Sequence, residues 1–141
     1  MVPINLRRVL TGGLLVGFIL NVSEMVLHRA ALRSSWEALL GVTFGLAESI
    51  WLIVAIFLLG ITTVWLYVIM RDRFGAGPRT ALMSGFMIWV FVALIPGMAA
   101  VGIGYLPWEI VTTMLIWRLV ELPVAIMAGA APYKDSVAVS A

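Results

Sequence analysis

Arg118 stands inside an apolar run that reaches from Pro107 to Ala131, with Glu121 three residues further on. An arginine at the centre of a bilayer costs about 2.5–3.5 kcal/mol on insertion scales, so it must face protein or water and meet an anion. Glu121, at i+3 on the same helical face, is one candidate. Glu24 lies in another apolar run and shares a face with Asn21 and His28, counting about 100° per residue. Glu48, near the start of a further run, can add a third wall. Asn21, Glu24, His28, Glu48, Arg118 and Glu121 therefore form the candidate ligand or proton site. A static ion pair there would specify helix register. A proton- or anion-responsive site would instead mark a transport path.

Other chemistries find little support. Glu24-x-x-x-His28 has the spacing of two metal ligands on one helical face. His28 is the only histidine in the chain, however, so a metal or haem site needs a dimer axis that brings two copies together. The absence of cysteine excludes disulfides, thiolate zinc sites and iron–sulfur clusters. Gly75-Ala76-Gly77-Pro78 lacks the lysine and the preceding strand of a phosphate-binding loop. No serine or cysteine nucleophile is paired with a histidine, and HExxH is absent. No cofactor and no enzymatic activity are expected, although a chain this small could serve as a subunit of an enzyme complex.

The elements that hold these residues follow from composition. Of 141 residues, 63% are hydrophobic and 11% charged, and the mean hydropathy is +1.12. A soluble domain carries about 25% charged residues, so an ordinary globular domain and a disordered chain are both excluded. Crossing ~30 Å of hydrocarbon takes about 20 apolar residues in a helix. Four stretches qualify, at about residues 9–28, 48–70, 80–104 and 107–131. None alternates with period two, which excludes a β-barrel. The expected fold is an all-α, polytopic membrane protein. Four transmembrane helices form an up-down bundle in a single domain, residues 1–134, followed by a disordered tail at 135–141.

Local signals refine this map. Ser34–Ser35–Trp36–Glu37 has the S-x-x-E spacing of a capping box, which predicts a short amphipathic outer helix before the second span. Pro96–Gly97 predicts a kink or an early exit in the third span. Pro107 suits the first position of the fourth helix, with Glu109 at its positive dipole end. Trp51, Tyr67, Tyr105, Trp108 and Tyr133 fall near span ends, where interfacial aromatics belong. Arg7, Arg8, Arg71, Arg73, Arg79 and Lys134 share one side, against Arg29 and Arg33 on the other. That bias predicts cytoplasmic termini. It also accounts for the pI near 9.5 without nucleic-acid binding.

Small residues indicate how the spans pack. Gly13-x-x-x-Gly17 lies on the Asn21–Glu24–His28 side of the first helix, and Ala125 and Gly129 on the Arg118–Glu121 side of the fourth. These faces predict that helices one and four pack together, with Arg118 bridging Glu24 or Asn21 to Glu121. Leu15, Val22 and Val26 then point to lipid.

Several short motifs resemble a family of small four-span bacterial membrane proteins. They are Asn5-Leu6-Arg7-Arg8 before a glycine-rich first span, Trp36-Glu37 in the outer loop, and Arg73-Phe74-Gly75 with Gly77-Pro78 in the cytoplasmic turn. Leu119-Val120-Glu121-Leu122-Pro123 before Ala128-Gly129-Ala130 completes the set. The resemblance implies a bacterial inner membrane and brings no activity, substrate or cofactor. The expected partners are the lipid bilayer and either further copies of the chain or another membrane protein. The expected role is that of a non-enzymatic accessory or homo-oligomeric helix-packing protein. A small proton- or anion-responsive transporter or channel is the alternative.

Overall fold

The computed structural model describes residues 4–41, 46–131 and 133, without the side chains of Leu40 and residues 46–48. The expected tail at 135–141, Lys134 and the Glu48 side chain lie outside the described residues. The chain forms α1 (Leu6–Val26), a π-helical turn (Leu27–Ala31), α2 (Arg33–Leu40), α3 (Leu46–Phe74) and α4 (Pro78–Trp89). A second π-helical turn (Val90–Leu94) leads into α5 (Ile95–Gly102), and α6 spans Trp108–Ala130. No strand occurs among the described residues. Four continuous helical segments are long and apolar enough to cross a bilayer: Leu6–Ala31, Ser49–Phe74, Pro78–Gly102 and Trp108–Ala130. The chain is thus a multi-pass, all-α membrane protein. α1 neighbours α3 and α6, while α4 neighbours α3 and α6, which is the ring of an up-down four-helix bundle.

Each boundary has a local cause. α1 starts three residues before the apolar run because the Asn5 side chain accepts a hydrogen bond from the Arg8 N–H at 3.1 Å. The Ser34–Glu37 capping box does not form. Leu32, buried at the end of the π-turn, stands at the N-cap of α2, so the helix begins at Arg33 with no side-chain cap. Glu37 instead accepts from Arg33 Nε at 2.8 Å, and this hydrogen bond raises the Arg33 guanidinium above its ordinary value. α2 ends at Gly41, whose φ of 62° is left-handed backbone that glycine adopts without strain. Pro96 neither ends nor breaks the third span. It sits in the first turn of α5, directly after the second π-turn, where its missing N–H is absorbed by the local change of helical pitch. Pro107 is the N-cap of α6, one position earlier than expected, and Glu109 lies in the first turn.

Two apolar clusters form the core. The larger joins Val9, Val16 and Leu20 of α1 to Val64 and Val68 of α3, Ala81 and Ile88 of α4, and Leu122, Ala125 and Ile126 of α6. The smaller lies toward the end opposite Arg7 and Arg8. It holds Leu27, Leu32 and Ile110, with Trp36, Met114 and Trp117 packed against it. Leu15, Val22 and Val26 are exposed on the outer surface of the bundle, as lipid-facing residues should be. Tyr67 and Tyr133 depart from the interfacial reading and turn inward. The Tyr133 hydroxyl accepts from the Asn5 N–H at 3.0 Å, and Arg71 stacks over the Tyr133 ring at 4.6 Å. The Tyr67 hydroxyl accepts from the Gly77 N–H at 3.3 Å.

Candidate functional site

α1 sits in a corner of the bundle, and this splits its small-and-polar stripe between two neighbours. Gly13 and Gly17 do not face α6. A Cβ on Gly13 would lie 2.5 Å from Ile61 Cα, and one on Gly17 would lie 2.8 Å from Phe57 Cα, both in α3. Gly60 of α3 closes the seam from the other side, since its Cβ would stand 2.5 Å from the Gly17 nitrogen. The residue that meets Gly129 of α6 is Gly12, one step round the helix, so the backbones of α1 and α6 touch there. Adjacent residues 100° apart point at different neighbours. α1 and α6 therefore do pack together, but through Gly12 and Gly129 rather than Gly13 and Gly17. Ala125 is fully buried in the core beside this contact.

Asn21 follows the α3 side of the split. Its amide donates to the Gly17 carbonyl at 2.8 Å and to the Ile53 carbonyl of α3 at 3.4 Å, so it takes no part in holding Arg118. Glu24 follows the α6 side. Arg118 Nε donates to Glu24 Oε1 at 2.6 Å and Nη2 donates to Oε2 at 3.0 Å, a bidentate pair across the α1–α6 interface. The side chains retain 11% (Glu24) and 21% (Arg118) of their surface. Leu20 of α1 and Leu27 of the π-turn flank Glu24, and Met114 and Leu122 flank Arg118 on α6, so the pair lies where the two apolar clusters meet.

The site extends beyond this pair toward α2. His28 Nε2 lies 2.9 Å from Glu24 Oε2, and Trp36 Nε1 donates to His28 Nδ1 at 2.9 Å. With Nδ1 accepting, Nε2 carries the imidazole proton and donates to Glu24. Trp36, His28, Glu24 and Arg118 thus form one hydrogen-bonded chain linking α2, α1 and α6. Glu24 is the one potential metal ligand beside His28 among the described residues, and its carboxylate is engaged by Arg118. Among the described residues no group of three or more His, Cys, Asp or Glu could hold an ion.

Glu121 does not pair with Arg118. Among the described residues it instead accepts from Trp117 Nε1 at 3.1 Å, and the same N–H reaches Ser23 Oγ of α1 at 2.8 Å. The i,i+3 spacing brings Arg118 and Glu121 to one face, but the guanidinium is taken by the carboxylate across the interface, with which it forms two bonds. Glu48 lies in the first turn of α3. Ser84 and Thr113 bond to carbonyls of their own helices, at 2.9 Å each. Thr112 does not, and its hydroxyl is the one buried side-chain polar atom without a partner among the described residues.

Sequence reasoning missed the indole donors. Trp117 and Glu121 stand at i,i+4, a spacing that brings a long donor and acceptor together on one helix, and this was available as a signal. The Trp36–His28 bond depends on the π-turn between them and had no such signal. No protein-family model, curated protein or solved structure matches the chain.

Proposed function

We propose that this protein is a non-enzymatic helix-packing protein of a bacterial inner membrane, acting as a homo-oligomer or as an accessory subunit of a membrane complex. The observation that carries this reading is the bidentate Glu24–Arg118 pair. It occupies the midplane arginine with a partner from another helix and ties α1, α2 and α6 into one arrangement. Buried ion pairs of this kind serve register and specificity without doing chemistry. The arginine bias of one end supports cytoplasmic termini. The short connections leave helix surfaces as the means of interaction. Native mass spectrometry from gently solubilised membranes tests the reading. A stable oligomer or a defined heteromeric complex is expected, and a monomer without partner under every condition contradicts it.

A second reading rests on one feature. One guanidinium stands near two carboxyl groups, Glu24 and Glu121, so the cluster is charge-balanced only when it also holds a proton. In a proton- or anion-responsive transporter that imbalance would be the working element. Arg118→Gln and Glu24→Gln in proteoliposomes would then abolish flux, while unchanged flux removes both residues from any transport mechanism.

A further inference from the structure

A space lies beside Arg118 along the third span. A half-open pocket of about 180 Å³ lies between the α4–α5 segment and α6. Ala93, Pro96 and Gly97 form one wall, and Val111 and Leu115 form the other. Arg118 lines it as well, and the cavity extends to Tyr105 and Leu106 in the connection before α6. The pocket lies along the π-turn and Pro96; Gly97 closes its wall against Val111 and Leu115 of α6, while α5 has no fully buried residue.

The lining indicates what fits. An apolar cavity of roughly 150 Å³ holds a benzene-sized molecule, so this one admits a single ring with a small substituent. Arg118 is the charged residue of the wall, and a guanidinium has five N–H donors. Glu24 takes two of them, and no other hydrogen bond to this guanidinium is formed among the described residues. The positive charge is balanced by Glu24, and Glu121 is one turn away on α6. An anionic ligand would find donors but no uncompensated cation. A neutral oxygen can use the donors without adding charge to a low-dielectric site.

We propose that this cavity binds an uncharged, single-ring lipophile bearing one carbonyl. The ring lies against Ala93, Pro96 and Leu115, and the oxygen accepts from an Arg118 N–H that Glu24 leaves unused. The proposal does not depend on the helix-packing role, because a passive structural pair and a ligand site can share the same guanidinium.

Fluorine NMR of 4-fluoroacetophenone with the full chain in lipid nanodiscs tests it, with empty nanodiscs correcting for partition into lipid. Saturable binding is expected, at least about tenfold tighter than that of 4-fluoroethylbenzene, the difference a hydrogen bond from a charged donor makes. 4-Fluorobenzoate is expected to bind at least tenfold more weakly than the ketone. Ala100→Phe, which places a ring in the cavity wall without touching Arg118 or Glu24, is expected to weaken ketone binding at least tenfold with helicity unchanged. Absence of saturable binding, equal affinity for the hydrocarbon, tighter binding of the benzoate, or an unaffected Ala100→Phe variant would each overturn the proposal. The ligand series requires no variant, so a folding defect in Ala100→Phe leaves the test intact.

Discussion

The two halves of the bundle are held together by different means. Toward the arginine-rich end, α1 meets its neighbours through glycine: Gly13 and Gly17 against α3, Gly12 against Gly129 of α6. Backbones touch there, and dispersion over closely packed surfaces does the work that the hydrophobic effect cannot do between helices already in lipid. Toward the other end the contacts are polar and longer-reaching. Arg118, Trp117 and Trp36 bridge helices through side chains, while α5 has no buried residue and meets α6 through Gly97 against Val111 and Leu115, beside a pocket. Where small residues allow contact the chain uses it; toward the other end, hydrogen-bonded side chains link α1 and the turn after it to α2 and α6.

Substitutions that act on one half alone sharpen this contrast. The largest effect is expected from Arg118→Met. It strands the Glu24 carboxylate in a mostly buried site and should destabilise the protein by about 3–5 kcal/mol, read as a shift in reversible unfolding in mixed micelles. Next comes Gly60→Ala. The added methyl would stand 2.5 Å from backbone atoms of Gly13 and Gly17, which cannot move aside as a side-chain tip can. A loss of about 1–3 kcal/mol in the same assay is expected.

Trp36→Phe removes a donor but keeps an aromatic ring, so a loss of about 0.5–1.5 kcal/mol is expected. In the smallest case the sign reverses. A Cβ on Gly102, at the end of α5, meets nothing within 4 Å, so Gly102→Ala should stabilise by about 0.4–1 kcal/mol through the unfolded state. Equal responses to Gly60→Ala and Gly102→Ala would erase the distinction between the halves.

Much of this arrangement is legible in the chain. The four spans follow from apolar length, because twenty such residues have few other soluble or membrane solutions. The exposure of Leu15, Val22 and Val26 follows from helical period. Period says which residues share a face but not which neighbour that face meets. Gly12 and Gly13 differ by one step, and only the corner position of α1 sends them to different helices. The same ambiguity decides between Asn21 and Glu24 as the partner of Arg118, and between Glu24 and Glu121 as its acceptor. The capping box fails for a related reason. The π-turn adds a residue to the first helix and buries Leu32, which moves the start of α2 ahead of Ser34. A π-turn has no local sequence signature of the strength of a proline or a glycine.

The central claim is that Glu24 and Arg118 act as a structural clamp between α1 and α6. A double-mutant cycle with Glu24→Leu, Arg118→Met and both together, read by reversible unfolding in mixed micelles, tests it most directly. Each single variant is expected to lose several kcal/mol and the double variant to recover most of that loss, because an apolar pair can replace a buried ion pair that is removed as a unit. Losses that simply add would show that the two side chains act independently and would contradict the clamp.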